Sequence, residues 1–414
     1  MTQHIEDDAV RGPRLYRNND KLIGLGNTVW QAAHDVGLIG ITVDHDSNNR
    51  LITGDGHEFM VLCSCSYLGL NRHPAVIQGG IDALTQWRTT GLSLAEVRVR
   101  LNLLKRLEEE LREQFGGPVL PGVSCSALTA GILPLIASGH LGDNGRPRVM
   151  VFDRFSHFSM AYAKPICADE TLVLTSPHND MNYLEDICRK YPRVAYVADG
   201  AYSMGGVADV AGLLDLQDRY GLFLYFDDSH ALSIHGSRGE GYVRSRIEMN
   251  PLTIVVASLA KAFGAAGGIA MLGDEALFDF LYRNAGPVAW SQNMEVAAIG
   301  HALGSLAVHR SPELAERQRR LQANIAYFDS QFPTDHAGNG LPIRKITVGE
   351  ADRALRLSRE LYEHGYYCSA VFFPIVARGE AGVRVMMRAD IDPPELAAFC
   401  KSVKESVKES VASD

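Results

Sequence analysis

Residues 253–273 read TIVVASLAKAFGAAGGIAMLG, and the role given to Lys261 within them decides the fold. Thr253–Ala257 is a β-branched, apolar run of the kind buried in a sheet. A tight turn carrying Ser258 and Lys261 follows, then a glycine-rich reversal and a second apolar run. Lys261 is the only charged residue between Pro251 and Asp274. An unpaired buried ammonium is costly, and burial lowers a lysine's pKa. The uncharged amine is a nucleophile toward aldehydes. For a lone lysine the plainer account is better: an apolar stem along the surface with the head in water. The rest of the chain has to decide.

Composition sets the class. The 414 residues are 46% hydrophobic and 21% charged, the balance of an ordinary globular protein. The seven cysteines are scattered and form no CxxC pair or Cys/His cluster, so neither a metal site nor a disulfide framework is indicated. MTQHIEDDAV lacks the apolar core of a signal peptide, no run is long enough to span a bilayer, and a cytoplasmic location is expected. A net charge of −9 argues against broad nucleic-acid binding.

Along the chain, Val29–Leu38 reads as a short amphipathic helix and Ile39–Leu62 as hairpins. Pro74 opens a helix through Trp87, and Leu101–Phe115 forms another before the Gly116-Gly117-Pro118 stop. In 97–100, Arg98 and Arg100 alternate with valines, so an extended segment would put both arginines on one face. From Val119 to Gly273 one theme repeats: RVMVFD, RVAYVAD, LFLYFDD and TIVVAS each end in polar residues, with helical stretches between most of them. This implies a largely parallel sheet covered on both faces, with ligands beyond the carboxyl ends of its strands. His157, Asp199, Ser203, Asp227, His230, Ser258 and Lys261 fall there. After Phe328, short β runs alternate with helices, as in a small α+β domain, and the terminal KESVKESVASD reads as a frayed tail.

Asp227 ends an otherwise apolar strand, where a carboxylate can pair with the protonated ring nitrogen of pyridoxal phosphate. His230 is placed for the neighbouring phenolic oxygen and His157 for stacking on the ring. The turn Val123-Ser124-Cys125-Ser126 leads into a helix and offers backbone N–H groups to a phosphate, with Ser258 able to add a hydroxyl. Singly, most have a plainer account. A loop histidine satisfies its neighbours, Asp227-Asp228 caps a turn, Cys125 is a small buried residue, and Ser203 starts a turn. Only Lys261 and Asp227 resist it alone; together, at successive strand ends, the residues describe a site.

SYLGLNRHP (66–74), LEEELREQFG (107–116), RFSHFSM (154–160), DGAYSMGGVA (199–208), FDDSHALSIHGSRGEG (226–241) and SLAKAFGAAGG (258–268) resemble the α-oxoamine synthases. These are fold-type-I pyridoxal-phosphate enzymes that include 8-amino-7-oxononanoate synthase and serine palmitoyltransferase. The resemblance runs from about Val61 into the small domain, and its last two motifs are specific. It implies an α/β fold with a mostly parallel seven-stranded sheet and a small α+β C-terminal domain. The expected division is 1–60 for the N-terminal arm and small-domain hairpins, 61–290 for the large cofactor-binding domain and 291–414 for the small domain. Lys261 would be the Schiff-base lysine and the proton-transfer base, Asp227 the ring-nitrogen partner, and His230 with Ser203 the phenolic-oxygen contacts. His157 would stack on the ring, Asp199 matches an acidic position near it, and Ser124, Cys125, Ser126 and Ser258 would hold the phosphate. Ser291 and Gln292 match residues sent to the partner subunit's phosphate, implying a homodimer with its site at the interface.

The departures concern substrate. Cys65-Ser66 replaces the usual Asn-Asp, LSLAEVRVR (92–100) replaces a glycine-rich segment, and Gly382 stands where an Arg-x-Arg pair would begin, leaving Arg384. Cys65, Ser66, Arg98 and Arg384 are the substrate-side candidates. The reaction expected is decarboxylative condensation of an α-amino acid with an acyl thioester, on coenzyme A or a carrier protein, in a specialised biosynthetic pathway. β- or γ-elimination or replacement, or transamination, is the alternative, and a non-catalytic cofactor-binding relative the third.

Overall fold

A computed structural model describes residues 18–47, 49–142 and 144–412 of the chain. Three short antiparallel strands come first, β1 (His45–Ser47), β2 (Arg50–Ile52) and β3 (Glu58–Val61). The main sheet has seven: β4 (Val119–Gly122), β5 (Val149–Asp153), β6 (Val173–Ser176), β7 (Val194–Asp199), β8 (Phe223–Asp227), β9 (Thr253–Ser258) and β10 (Gly268–Leu272). They lie in the order β4-β10-β9-β8-β7-β5-β6. Pairing is parallel from β9 through β6, and β10 alone runs against both its neighbours.

Alternation along each strand divides its side chains between two cores. Val151, Tyr196, Leu224, Phe226 and Val255 enter one, packed with helices Asn102–Phe115 and Val210–Tyr220. Phe152, Val197, Phe223, Tyr225 and Val256 enter the other, under helices Cys125–Ala137 and Glu275–Asn284. Burial on both faces is why these runs are apolar throughout rather than at every second residue. The mostly parallel seven-stranded sheet with helices on both sides is the fold expected. One glycine is essential to it: a Cβ at Gly268 would lie 2.3 Å from the backbone nitrogen of Cys125, so only glycine lets β10 pass beneath that helix's first turn.

The C-terminal part holds β11 (Ile343–Gly349), β12 (Tyr366–Tyr367), β13 (Ser369–Val371) and β14 (Ala381–Met386). β11, β14 and β13 form a sheet in that order, and helices Ala351–Glu363 and Pro393–Ala412 pack with it. β12 instead pairs in parallel with β3, Met60 opposite Tyr366 and Val61 opposite Tyr367, so the 39–62 hairpins join this part of the molecule.

Some expectations change. The N-terminal helix is longer than read, Asn18–Asp35; residues 1–17 of the expected arm lie outside the described residues. The terminal repeat is helical as far as Ala412 rather than frayed, with Val403 and Ser406 fully buried at helical spacing; Ser413 and Asp414 lie outside the described residues. Helix Val296–His309 lies beyond the expected boundary at 290, yet it buries Val296, Ile299, Ala302 and Leu306 in the main-sheet core, because that is where its apolar face finds cover. No helix among the described residues is long and apolar enough to cross a membrane.

Candidate active site

Register puts two carboxylates side by side, since Asp199 and Asp227 are paired residues at the ends of β7 and β8. Asp227 is only 4% exposed. Its Oδ1 accepts from the Ser229 backbone N–H at 3.0 Å, and its Oδ2 has the Cys125 thiol at 3.6 Å. Burial, then the negative charge of Asp227, pushes the Asp199 carboxyl well above the usual range. Asp199 Oδ2 accepts from the His157 backbone N–H at 2.8 Å, which fixes the start of the 157–161 turn. The His157 ring is exposed, with Nδ1 held by Ser159 Oγ at 2.9 Å.

Lys261 lies in the connection between β9 and β10, which closes through Leu259 N–H to Gly267 O and Gly264 N–H to Lys261 O. The side chain is half-buried, and its Nζ makes no hydrogen bond or ion pair among the described residues. Its charge acts on Cys125, His157, Asp199 and His230, which places the amine among them. Ser229 ties the neighbouring strand ends together: its hydroxyl accepts from Ser258 N–H at 2.8 Å and lies 3.7 Å from Cys125 Sγ.

His230 is buried and bound through Nδ1 to the Tyr67 hydroxyl at 2.7 Å. Burial, then the positive charges of Lys261 and Arg384, holds its imidazole well below the usual pKa, so the ring is neutral. Tyr67 is fully buried, which raises its phenol well above the ordinary value. Its hydroxyl also lies 3.7 Å from Met386 Sδ, and Cys65 Sγ is 3.6 Å from the same sulfur. Tyr67, Ser229 and Met386 were not singled out from the sequence. The first two stand inside SYLGLNRHP and FDDSHALSIHGSRGEG, the only signal available.

The phosphate candidates sit at a helix start. Ser124 caps Cys125–Ala137 by accepting from Ala127 N–H at 3.1 Å, so its hydroxyl is already engaged, while Ser126 is exposed in the first turn. Burial and the Asp227 charge push the Cys125 thiol well up, which keeps it a neutral donor. Ser258 Oγ accepts from Ala260 N–H at 3.2 Å. Ser203 enters through its carbonyl, which accepts from Arg384 Nη1 at 3.2 Å.

The substrate-side candidates separate. Cys65 and Arg384 adjoin the cluster, but Ser66 turns its hydroxyl to Asn71 and closes its own loop. At Gly382 a Cβ would lie 2.1 Å from Ile346 O, so β11 leaves no room for any side chain there. Segment 95–98 is a turn, not an extended strand, with Arg98 N–H bonded to Ala95 O. Arg98 is exposed with its guanidinium 5.6 Å from the Trp290 ring, while Arg100 is bound by Glu108 and lies over Tyr282. Ala95 bridges Gln292 and Glu96 N–H reaches Ser291 O, so Arg98, Ser291 and Gln292 form a second group.

The cluster suits an aldehyde cofactor with a protonated ring nitrogen. A buried carboxylate whose one side-chain donor is a weak thiol has acceptor capacity left for a stronger N–H. The Lys261 amine has no partner among the described residues, the His157 ring is exposed, and a helix N-terminus adjoins Asp227 through Cys125.

The sequence pattern of the family Aminotransferase class I and II matches residues 167–403. An 8-amino-7-oxononanoate synthase of Alkaliphilus metalliredigens is 28% identical over 355 residues, covering 83% of this chain and 86% of that protein. One from Geobacter sulfurreducens is 28% identical over 359 residues, covering 84% and 89%. Among solved structures, a serine palmitoyltransferase of Sphingomonas wittichii superposes with a TM-score of 0.84 at 18% identity, over 97% of this chain and 100% of that one. An 8-amino-7-oxononanoate synthase from Francisella tularensis gives 0.69 at 18% identity, over 85% and 99%.

Proposed function

We propose a pyridoxal-phosphate-dependent decarboxylative condensation for this chain, which belongs to the aminotransferase class I and II family. An α-amino acid and an acyl thioester give an α-aminoketone, CO₂ and free thiol. The bond formed joins the α-carbon to the acyl carbonyl; the bonds broken are the thioester C–S and the link to the carboxylate. The observation that carries the reading is the buried, under-satisfied Asp227 carboxylate, whose neighbours Cys125, His157 and Asp199 also feel the charge of a Lys261 amine that has no partner among the described residues. The similarity to 8-amino-7-oxononanoate synthases supports it.

Pyridoxal phosphate, when bound, supplies the aldehyde that captures the amino group and a conjugated ring that accepts the electron pair released at the α-carbon. Lys261 would bind the aldehyde carbon, and its amine would move the α-proton. Asp227 would keep a proton on the ring nitrogen. His230, neutral and fixed by Tyr67, would meet the phenolic oxygen together with Ser203. His157 would cover one ring face. Ser126, Ser258 and the N–H groups following Ser124 and Cys125 would hold the phosphate. Arg384 would meet a substrate carboxylate. Ser291 and Gln292, away from this cluster in their own group, complete the site of a second copy in a homodimer. Seven free cysteines support a reducing, cytoplasmic setting.

The protein is expected to show a visible band with pyridoxal phosphate that borohydride bleaches, leaving the cofactor attached at Lys261. Incubation with amino acids should release CO₂ and thiol only when an acyl thioester is present. Keto acid or ammonia formed without thioester would overturn the reaction while leaving the cofactor assignment standing.

A further inference from the structure

Beside Arg384 lies a cavity of about 170 Å³ that the reaction above leaves without a role. Most of its wall is apolar: Trp30 and Leu38 from the N-terminal segment, Leu355 from helix Ala351–Glu363, and Phe372 and Ile375 after β13; of the hydroxyls that line it, those of Ser358 and Tyr367 are turned to backbone carbonyls. Arg384 is its one charged lining residue. That arginine faces two ways. Its Nη1 donates to Ser203 O, and its charge is felt by His230 and Tyr67 in the cluster. Its Nε is buried without a hydrogen-bond partner among the described residues. An apolar chamber with a cation at the end nearest the chemistry suits a ligand with an apolar body and a polar head, because an unpaired polar body would lose its hydration there. At roughly 30 Å³ for a water-sized group, the space takes about five or six methylene-sized units.

We propose that the acyl chain of the thioester lies in this cavity, and that Trp30 and Ile375 set its length limit. This rests on the thioester reading above. The outer wall is built from replaceable pieces. The Trp30 ring stands edge-on to Phe372 with centroids 5.0 Å apart, and Trp30 and Ile375 are each 44% exposed. Being nearly half exposed, these side chains close the cavity toward solvent, and neither anchors the core.

The test uses the full chain loaded with pyridoxal phosphate and straight-chain acyl groups of about four to fourteen carbons, each on coenzyme A and on pantetheine. Binding is followed by calorimetry without amino acid, and turnover by thiol release with it. Affinity is expected to rise about fourfold per methylene and then level off where the chain meets Trp30. Trp30→Ala should move the levelling point outward by about two carbons or more, and Ile375→Trp should move it inward. Both variants should keep the spectral response of the cofactor to amino acid, which shows that they remain folded. A levelling point common to all three proteins, or no dependence on chain length, overturns the proposal. Chain-length-dependent binding with no thiol release from any thioester would instead overturn the condensation and leave the acyl site standing. Equal affinity for the pantetheine and coenzyme A forms would assign recognition to the chain rather than the nucleotide.

Discussion

At the scale of single residues, the arrangement of charge around Asp227 is what the chemistry needs. A buried carboxylate costs free energy unless strong donors meet it, and here the donors are one backbone N–H and a thiol. A ring N–H would supply the missing donor. Asp227→Asn keeps the shape and removes the charge, so kcat/KM should fall by roughly 100-fold or more while thermal stability does not drop. A variant with near-native turnover would show that Asp227 is no partner of the cofactor. The polar residues at these strand ends were legible because each interrupts an apolar run. Tyr67 and Met386 were not, since their contacts join positions 163 and 319 residues apart in sequence, and nothing local in an apolar or aromatic residue reveals such a partner.

Among the elements, segment 92–100 is the one that the sequence leaves unassigned. An extended run of alternating Val and Arg would put both arginines on one face. The turn at Ala95–Arg98 instead sends Arg98 to Trp290 and Arg100 inward to Glu108 and Glu96, because two buried carboxylates need a cation. Glu96 is 2% exposed, and burial raises its carboxyl to about 7 in spite of Arg100 at 3.7 Å. Its folded pKa lies above the unfolded one, so its contribution is fully present below about 4.5 and is lost as pH rises through 7. The loss amounts to about 3 kcal/mol at most. Glu96→Gln should therefore melt higher than the natural protein at alkaline pH, with the difference closing toward pH 5, as calorimetry would record. A difference that does not vary with pH would mean that Glu96 does not titrate in this range. The helix start at Ser124 was legible for a local reason, a capping hydroxyl three residues before the N–H that it accepts.

For the molecule as a whole, the alternation of strands and helices announced a parallel sheet, but no local pattern orders the strands or reverses β10. Those features follow from packing between distant segments. The proposed second copy also belongs to this scale. Phe158, Tyr162 and Ile166 recur at four-residue spacing and are each at least half exposed, an arrangement that calls for cover. Sedimentation should show a dimer, and the double substitution Phe158→Asp with Ile166→Asp should yield monomers that lose activity in parallel; fully active monomers would remove Ser291 and Gln292 from the partner's site. The parallel pairing of β3 with β12 carries a further consequence, for the order of events at the ribosome. Met60 must wait for Tyr366, about 300 residues later, before its strand has that neighbour. At roughly 5–20 residues per second this takes about 15 to 60 seconds of translation, during which the hairpin edge is unpaired. A nascent chain stopped short of β12 leaves that edge open, so a chaperone that masks strand edges should hold such chains longer than completed ones.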